Sequence, residues 1–299
     1  MLHSPHFLLV VTTLCWAGNI TLGKLATERY VPPFALSFWR WALALIILLP
    51  FAWSGLRRVI PMLKGRWPFM VLLSLLGVGS YNTAQYWGLQ HTSALNTSVV
   101  LASMPAFMFL GTWLTGQERT NGWQLTGLAT VTVGVLLVVF HGSFARALSL
   151  ALNIGDLAVL FGVAAWVAYS VLLPRLPKGL DPLGLIALCI IFGLPAIAPF
   201  WIWELATQPF PAIGWAGLGI TVYTAIFPAL IAYICWNRAV ALGGANLAGI
   251  MNNLTTVFAV VAAVLLLGEA FAGYHGVGIA LVFAGIYCAA IRGRRAVAA

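Results

Sequence analysis

Charge is what this chain has least of. Only 7% of its 299 residues are Asp, Glu, Lys or Arg, against about 25% in a soluble domain. So few charges exclude a water-facing surface of ordinary extent. The net charge of +9 comes from basic residues scattered through short loops, which excludes the basic stripe of a nucleic-acid binder. The four cysteines, Cys15, Cys189, Cys235 and Cys288, sit in apolar segments and form no C-x-x-C pair. They read as small packing residues, not as a disulfide framework or metal ligands. The five histidines show no H-E-x-x-H spacing. Residues 18–25, "GNITLGKL", carry Gly18, Gly23 and Lys24 at the spacing of a phosphate loop. Leu25, however, stands where a hydroxyl must hold Mg²⁺, so this motif supports no ATP-driven machine. No cofactor, metal or nucleic-acid partner is expected.

What the chain has in abundance is apolar surface: 62% hydrophobic residues and a mean hydropathy of +0.99. The solvent for such a surface is lipid. Backbone polar groups must be satisfied internally there, by helices or a closed barrel. The long apolar runs lack the alternation of a barrel strand, so helices are predicted. Ten segments approach the ~20 residues that span a bilayer: about 6–24, 33–53, 67–88, 94–115, 122–141, 154–173, 181–203, 211–236, 244–267 and 272–291. The N-terminal run continues past Trp16 without a small-residue cleavage site and reads as the first span, not a signal peptide.

Basic residues set the orientation. With the N-terminus in the cytoplasm, eleven face inward: Arg57, Arg58, Lys64, Arg66, Arg119, Arg175, Lys178, Arg238, Arg292, Arg294 and Arg295. Three face outward: Lys24, Arg29 and Arg146. Arg40 stays within a span. Both termini are therefore expected in the cytoplasm of a cell inner (plasma) membrane. Lys24 ends the first helix, where a long cationic side chain can reach the outer interface.

The halves repeat each other. At a shift of 151, Ala94 aligns with Ala245, Glu118 with Glu269, Trp123 with Tyr274, Gly127 with Gly278 and Gly134 with Gly285. Trp16 aligns with Trp166 at 150. Each half, 1–150 and 151–299, then holds five spans, and an odd number turns the second copy over in the membrane. The fold class expected is an all-α polytopic membrane protein of ten helices in two inverted five-helix repeats forming one transmembrane domain. In such architectures the ligand sits near the midplane between the repeats.

The first span contains "CWAGNITLGK", the second "PPFALSFWRW" with Pro32 and Arg40, the fourth "ALNTSVVLASMPAF" with Pro105, and the loop beyond it "GQERTNGWQLTG" with Glu118 and Gly127. In order and spacing these resemble the drug/metabolite transporter superfamily, in its ten-helix EamA-type branch, over the whole chain. They are similar to YddG-type bacterial exporters of aromatic amino acids. The family's W-G-x-N is here Trp16-Ala17-Gly18-Asn19. The second half has "MNNLTTVF" where the family often repeats a Leu-x-Pro motif. The resemblance implies export of small amphipathic metabolites, amino acids above all, with membrane lipid as surroundings.

Several polar and aromatic residues lie inside spans, where lipid rewards aliphatic ones. Arg40 must face the bundle interior, water or a partner; it reads either as the counter-charge of a substrate carboxylate or as a tie to helix-end carbonyls. Asn19 can bond a substrate or a neighbouring helix. Asn252 and Asn253 cannot share one helix face, so one of them should meet a cavity or another helix. Trp16, Tyr81, Trp166, Tyr169 and Tyr223 could wall a pocket by stacking. Tyr233 has the same intramembrane placement. The expected substrate-binding set is Trp16, Asn19, Arg40, Tyr81, Trp166, Tyr169, Tyr223, Asn252 and Asn253. Pro105, Pro195, Pro199 and Pro228 should interrupt their helices. The fifth and tenth spans should lie apart from the cavity. The six acids, Glu28, Glu118, Asp156, Asp181, Glu204 and Glu269, all fall near span ends, which leaves ion coupling without an evident carrier. Alternating access without ATP hydrolysis is the leading expectation. A membrane-embedded lipid-modifying enzyme and a small-solute channel are the alternatives, and the oligomeric state is open.

Overall fold

A computed structural model describes residues 4–92, 97, 100–117, 121–143, 145, 153–208, 214–267 and 271–289. The side chain of Lys24, together with Ala94, Glu118, Arg119, Arg146, Glu269, Arg292, Arg294 and Arg295, lies outside the described set. The described residues form ten helical rods and no strand. These are α1 (Pro5–Arg29), α2 (Pro33–Met62), α3 (Trp67–Ser74, continued through Leu75–Ser80 and Tyr81–His91), α4 (Met104–Leu114) and α5 (Gly122–Val139). The second half supplies α6 (Ile154–Leu172), α7 (Pro182–Thr207), α8 (Trp215–Thr224, continued through Ala225–Ile231 and Ala232–Gly243), α9 (Ala245–Asn252 and Leu254–Leu267) and α10 (Gly273–Tyr287). Six rods are long and apolar enough to cross a bilayer: α1, α2, α5, α6, α7 and α8. The described parts of α4, α9 and α10 are shorter apolar helices. In α3, polar side chains crowd the second half.

The helix starts follow local chemistry. Ser4 caps α1 by accepting from Phe7 N–H, and Pro5 follows at the first helical position, where its missing N–H is not needed. Asn121 with Gln124, and Asn153 with Asp156, form reciprocal capping boxes on α5 and α6. Asp181 caps α7 ahead of Pro182. Helix α2 has no cap of its own; Glu204, near the end of α7, accepts from Phe34 N–H at 3.2 Å and Ala35 N–H at 2.7 Å. At the opposite end of the same helix pair Arg58 meets Asp181 at 2.8 Å. Helices α2 and α7 are thus clasped at both ends across the repeat boundary.

The packing repeats itself with the halves exchanged. Helix α3 packs on α6 as α8 packs on α1, α4 on α6 as α9 on α1, and α7 on the middle of α3 as α2 on the middle of α8. The pairs α2–α7 and α5–α10 map onto themselves. In the last pair a Cβ added to Gly127 would stand 2.6 Å from the Gly285 carbonyl oxygen, and one added to Gly134 would stand 2.8 Å from that of Gly278. The repeat maps Gly127 onto Gly278 and Gly134 onto Gly285, so each contact becomes the other. The two backbones run antiparallel and touch, as small-residue seams in membranes allow. This is the geometry of an inverted repeat.

Local irregularities also come in pairs. Helices α3 and α8 each widen into a π-helical segment at the same repeat position, Leu75–Ser80 and Ala225–Ile231. Pro228 lies inside the second and accounts for it there, because it removes a backbone donor. Helix α9 breaks by a turn at Asn253, and at the matching place a turn at Ser103 separates α4 from the helical residues 100–102. Pro195 and Pro199, expected to interrupt their helix, are accommodated within continuous α7. A single residue, Gly244 at φ +85°, turns the chain from α8 into α9, a conformation open to glycine and strained for other residues.

Candidate substrate-binding site

The breaks and bulges surround one cavity of about 120 Å³ between the two halves. Helix α1 contributes Trp16, Asn19 and Ile20; α3 contributes Tyr81, Asn82 and Gln85; Leu101 and Ala102 precede α4. The second half adds Tyr233 from α8 and Asn252, Asn253, Thr255 and Thr256 from α9. Neither α5 nor α10 reaches it. Both adjacent amides line it, since the helix breaks at Asn253. There the Asn253 side chain bonds back to the Ile250 carbonyl at 3.2 Å, while Asn252 Nδ2 approaches Met104 Sδ at 3.4 Å.

Its floor is an aromatic cluster. Trp166, with 0% exposure, stands 5.3 Å from Trp16, 5.2 Å from Tyr81, 5.0 Å from Tyr233 and 5.2 Å from Tyr169 between ring centroids. Such pairs contribute about 0.5–1.5 kcal/mol beyond area burial. Trp166 and Tyr169 therefore lie under the cavity wall and not in it. Tyr169 donates to Asn237 Oδ1 at 2.9 Å. Tyr223 is elsewhere: its hydroxyl packs against Gly18 on α1 and its ring stacks on Phe227 at 5.1 Å.

The widened segments expose carbonyls to this cluster. Trp16 Nε1 donates to the Pro228 carbonyl at 3.3 Å, and the Tyr233 hydroxyl donates to the Gly77 carbonyl. Gly77 and Pro228 are repeat equivalents at a shift of 151.

Arg40 sits one side chain behind the wall. It is 1% exposed. Its Nη1 donates to Asn82 Oδ1 at 2.7 Å and to the Tyr86 hydroxyl at 2.9 Å, and that hydroxyl donates to Asn19 Oδ1 at 2.9 Å. Its guanidinium also lies 5.1 Å from the Trp41 ring centre. No carboxylate pairs with it among the described residues. Of the two readings open for Arg40, it does not cap helix-end carbonyls; it braces α1, α2 and α3 through Asn82 and Tyr86, and of this network Asn82 and Asn19 face the cavity. Asn82, Gln85 and the Thr255–Thr256 pair also line the cavity and are absent from the expected set, as is Tyr86, which lies behind the wall. Their signal was present in "YNTAQYW", where Asn82, Gln85 and Tyr86 recur at spacings of three and four on one helix face.

A second, larger hollow of about 920 Å³ opens sideways between α3, α6 and α7, walled by Trp87, Phe161, Phe200 and Trp203. Almost wholly apolar, it lacks the convergent polar groups that orient a small ligand. Groups of His, Cys, Asp or Glu able to hold a metal are absent among the described residues.

An all-α bundle of inverted repeats, with discontinuous helices meeting around a polar and aromatic cavity, is the architecture of a multi-pass membrane transporter. The pattern of the EamA-like transporter family matches residues 3–140 and again 153–291. The chain belongs to that family, within the drug/metabolite transporter superfamily. It is similar to the transporter YyaM of Bacillus subtilis, 24% identical over 95% of this chain and 92% of that one. It is also similar to a transporter of Archaeoglobus fulgidus, 25% identical over 94% and 96% respectively. A protein of Streptantibioticus cattleyicolor named "Probable terminal-alkyne amino-acid exporter" is 28% identical over 93% of this chain and 90% of its own. A solved crystal structure superposes with a TM-score of 0.77 at 21% identity, covering 97% of this chain and 98% of that one, which supports the fold.

Proposed function

We propose that this protein exports small amphipathic carboxylates, foremost amino acids with aromatic or other large apolar side chains. It does so by alternating access between the halves 1–150 and 151–299, without ATP hydrolysis and without chemistry on the substrate. The observation that carries this reading is Arg40: a buried guanidinium with no carboxylate beside it among the described residues, wired to the wall of an aromatic cavity between the repeats. Leaving a charge buried costs several kcal/mol unless something compensates it. Two hydrogen-bonding side chains, Asn82 and Tyr86, compensate part of that, and a substrate carboxylate completes it. The rings of Trp16, Tyr81 and Tyr233 offer faces for an apolar side chain. The amino-acid exporter of Streptantibioticus supports the same class.

The membrane is the cell inner (plasma) membrane. The basic bias puts both termini in the cytoplasm, with the Arg58–Asp181 clasp on that side and the Glu204 clasp on the other. Reconstitution into liposomes tests the function. Saturable counterflow of phenylalanine, absent from protein-free vesicles, is expected. Flux that rises linearly without saturation would mean a channel, and conversion of the solute would mean an enzyme.

A further inference from the structure

We infer that the central site reads the carboxylate of its substrate and not the α-ammonium, so that aryl and alkyl carboxylates without an amino group are ligands in their own right. This rests on the reading of the cavity as a carboxylate site. Two independent observations carry it.

The first is charge. Arg40 brings one positive charge to the centre. The described carboxylates are engaged elsewhere. Asp156 caps α6 and bonds Thr92, Asp181 holds Arg58 and the start of α7, and Glu204 caps α2. Glu28 is exposed near the end of α1. A monocarboxylate entering the cavity brings the local charge to zero. A zwitterion leaves it positive and places an ammonium near a guanidinium, with no described anion between them. In a water-poor interior that difference is large.

The second is hydrogen bonding. Around the site, buried side-chain atoms without a partner are donors: Arg40 Nε, Trp41 Nε1, Asn82 Nδ2 and Trp166 Nε1. The Thr255 hydroxyl, also buried on the cavity wall and without a partner, can donate too. The Asn82 amide cannot be turned round, because Arg40 requires an acceptor at Oδ1. Its Nδ2 is consequently the unpartnered atom of a side chain on the cavity wall. Beside Arg40 the acceptors are in use, Asn82 Oδ1 by Arg40 and Asn19 Oδ1 by Tyr86, and the Pro228 and Gly77 carbonyls take Trp16 and Tyr233; the amide oxygens of Gln85, Asn252 and Asn253 are on the wall too but are not among the buried unpartnered atoms. A carboxylate only accepts and an ammonium only donates. The surplus among the buried atoms fits the former. In the bound state the carboxylate accepts from Asn82 Nδ2 and Thr255 Oγ1, with Arg40 behind Asn82 supplying the field, while the aromatic walls hold the apolar end.

Three ligands that share a ring separate the contributions: 3-phenylpropanoate, phenylalanine and 2-phenylethylamine. Their binding to the purified full-length protein in detergent is measured by titration calorimetry near neutral pH. Phenylpropanoate is expected to bind at least as tightly as phenylalanine, and phenylethylamine about tenfold more weakly or worse. Phenylalanine binding with phenylpropanoate about tenfold weaker, or phenylethylamine matching phenylpropanoate, overturns the inference and leaves transport of amino acids standing. If neither carboxylate binds, the carboxylate reading of the site falls as well. Asn82→Asp gives a second measure. It keeps the bond to Arg40 and adds the missing anion, so affinity for phenylpropanoate should drop about tenfold or more. Unchanged affinity in a folded Asn82→Asp protein overturns the inference; if that variant does not fold, the three-ligand comparison decides.

Discussion

Trp16 and Trp166 are the same position in the two repeats, and they touch, with centroids 5.3 Å apart and planes at 82°. A residue can meet its own repeat equivalent only beside the axis that relates the halves, so this pair marks that axis. The chemistry around it is not symmetric. Trp16 Nε1 donates to the Pro228 carbonyl, but the equivalent carbonyl, Gly77, is occupied by Tyr233, and Trp166 Nε1 is left over.

Trp166→Ala should lower the stability of the detergent-purified protein by about 3–5 kcal/mol, the cost of removing a fully buried large ring. Trp16→Ala, at a half-buried ring on the cavity wall, should cost less stability and more affinity for a large apolar ligand. Chemical unfolding and calorimetry on the same preparations check both. Equal losses of stability would mean that Trp16 is floor and not wall.

Arg40→Lys should abolish saturable counterflow almost as fully as Arg40→Gln. An ammonium cannot reproduce the fork that reaches Asn82 and Tyr86 together. Tyr86→Phe, which keeps the ring and deletes both hydrogen bonds of its hydroxyl, should weaken ligand binding by about 1–3 kcal/mol. Wild-type flux in Arg40→Gln at normal expression would reduce Arg40 to a brace.

Gly127→Leu should prevent accumulation of folded protein, because the new side chain meets the Gly285 carbonyl and backbone of α10. Gly219→Leu, where a Cβ meets nothing within 4 Å, should be neutral. Fluorescence-detected size exclusion reads both variants, and a normal profile for Gly127→Leu would dissolve the α5–α10 seam.

Glu204→Ala should cost about 0.5–2 kcal/mol of stability, as loss of a helix cap does, although Glu204 belongs to a different helix from the one it caps. Glu204→Gln retains one acceptor and should fall between. Thermal unfolding of the two variants checks the order.

Orientation is open to direct labelling. Lys178→Cys should react with a membrane-impermeant maleimide only in inverted vesicles, and Gln208→Cys only in right-side-out cells. The reverse pattern would place both termini outside.

The ten rods were legible because hydropathy responds to lipid, and the inverted repeat because glycines at a fixed shift survive where backbones touch. The candidate site was half legible. Trp16, Asn19, Tyr81, Asn252 and Asn253 line the cavity because polar or aromatic groups inside a span need a reason. Tyr223 met the same criterion and fills a gap beside Gly18 instead; in-span position does not report direction. Trp166 and Tyr169 are in the cluster but beneath the surface, a distinction that depends on helix rotation. Asn82 and Tyr86 were missed as partners of Arg40. A guanidinium's acceptors come from another helix, and pairing across helices leaves no trace in local spacing. The break at Asn253 lacks the proline that its counterpart near Ser103 has at Pro105, so the paired interruption emerged only in three dimensions.

Had the two halves been identical in sequence, the conformer open to one face and its two-fold-related counterpart open to the other would be degenerate. The Arg40 cluster lifts that degeneracy. Its members Asn19, Arg40, Asn82 and Tyr86 all come from the first three helices, and the positions matching Arg40 in the second half hold Ile190 or Ile191. A buried cation tied to one half acts as ballast. In the alternating-access cycle proposed above, the empty carrier has a preferred side on which to wait, and a neutralising ligand lightens the ballast before the halves exchange roles.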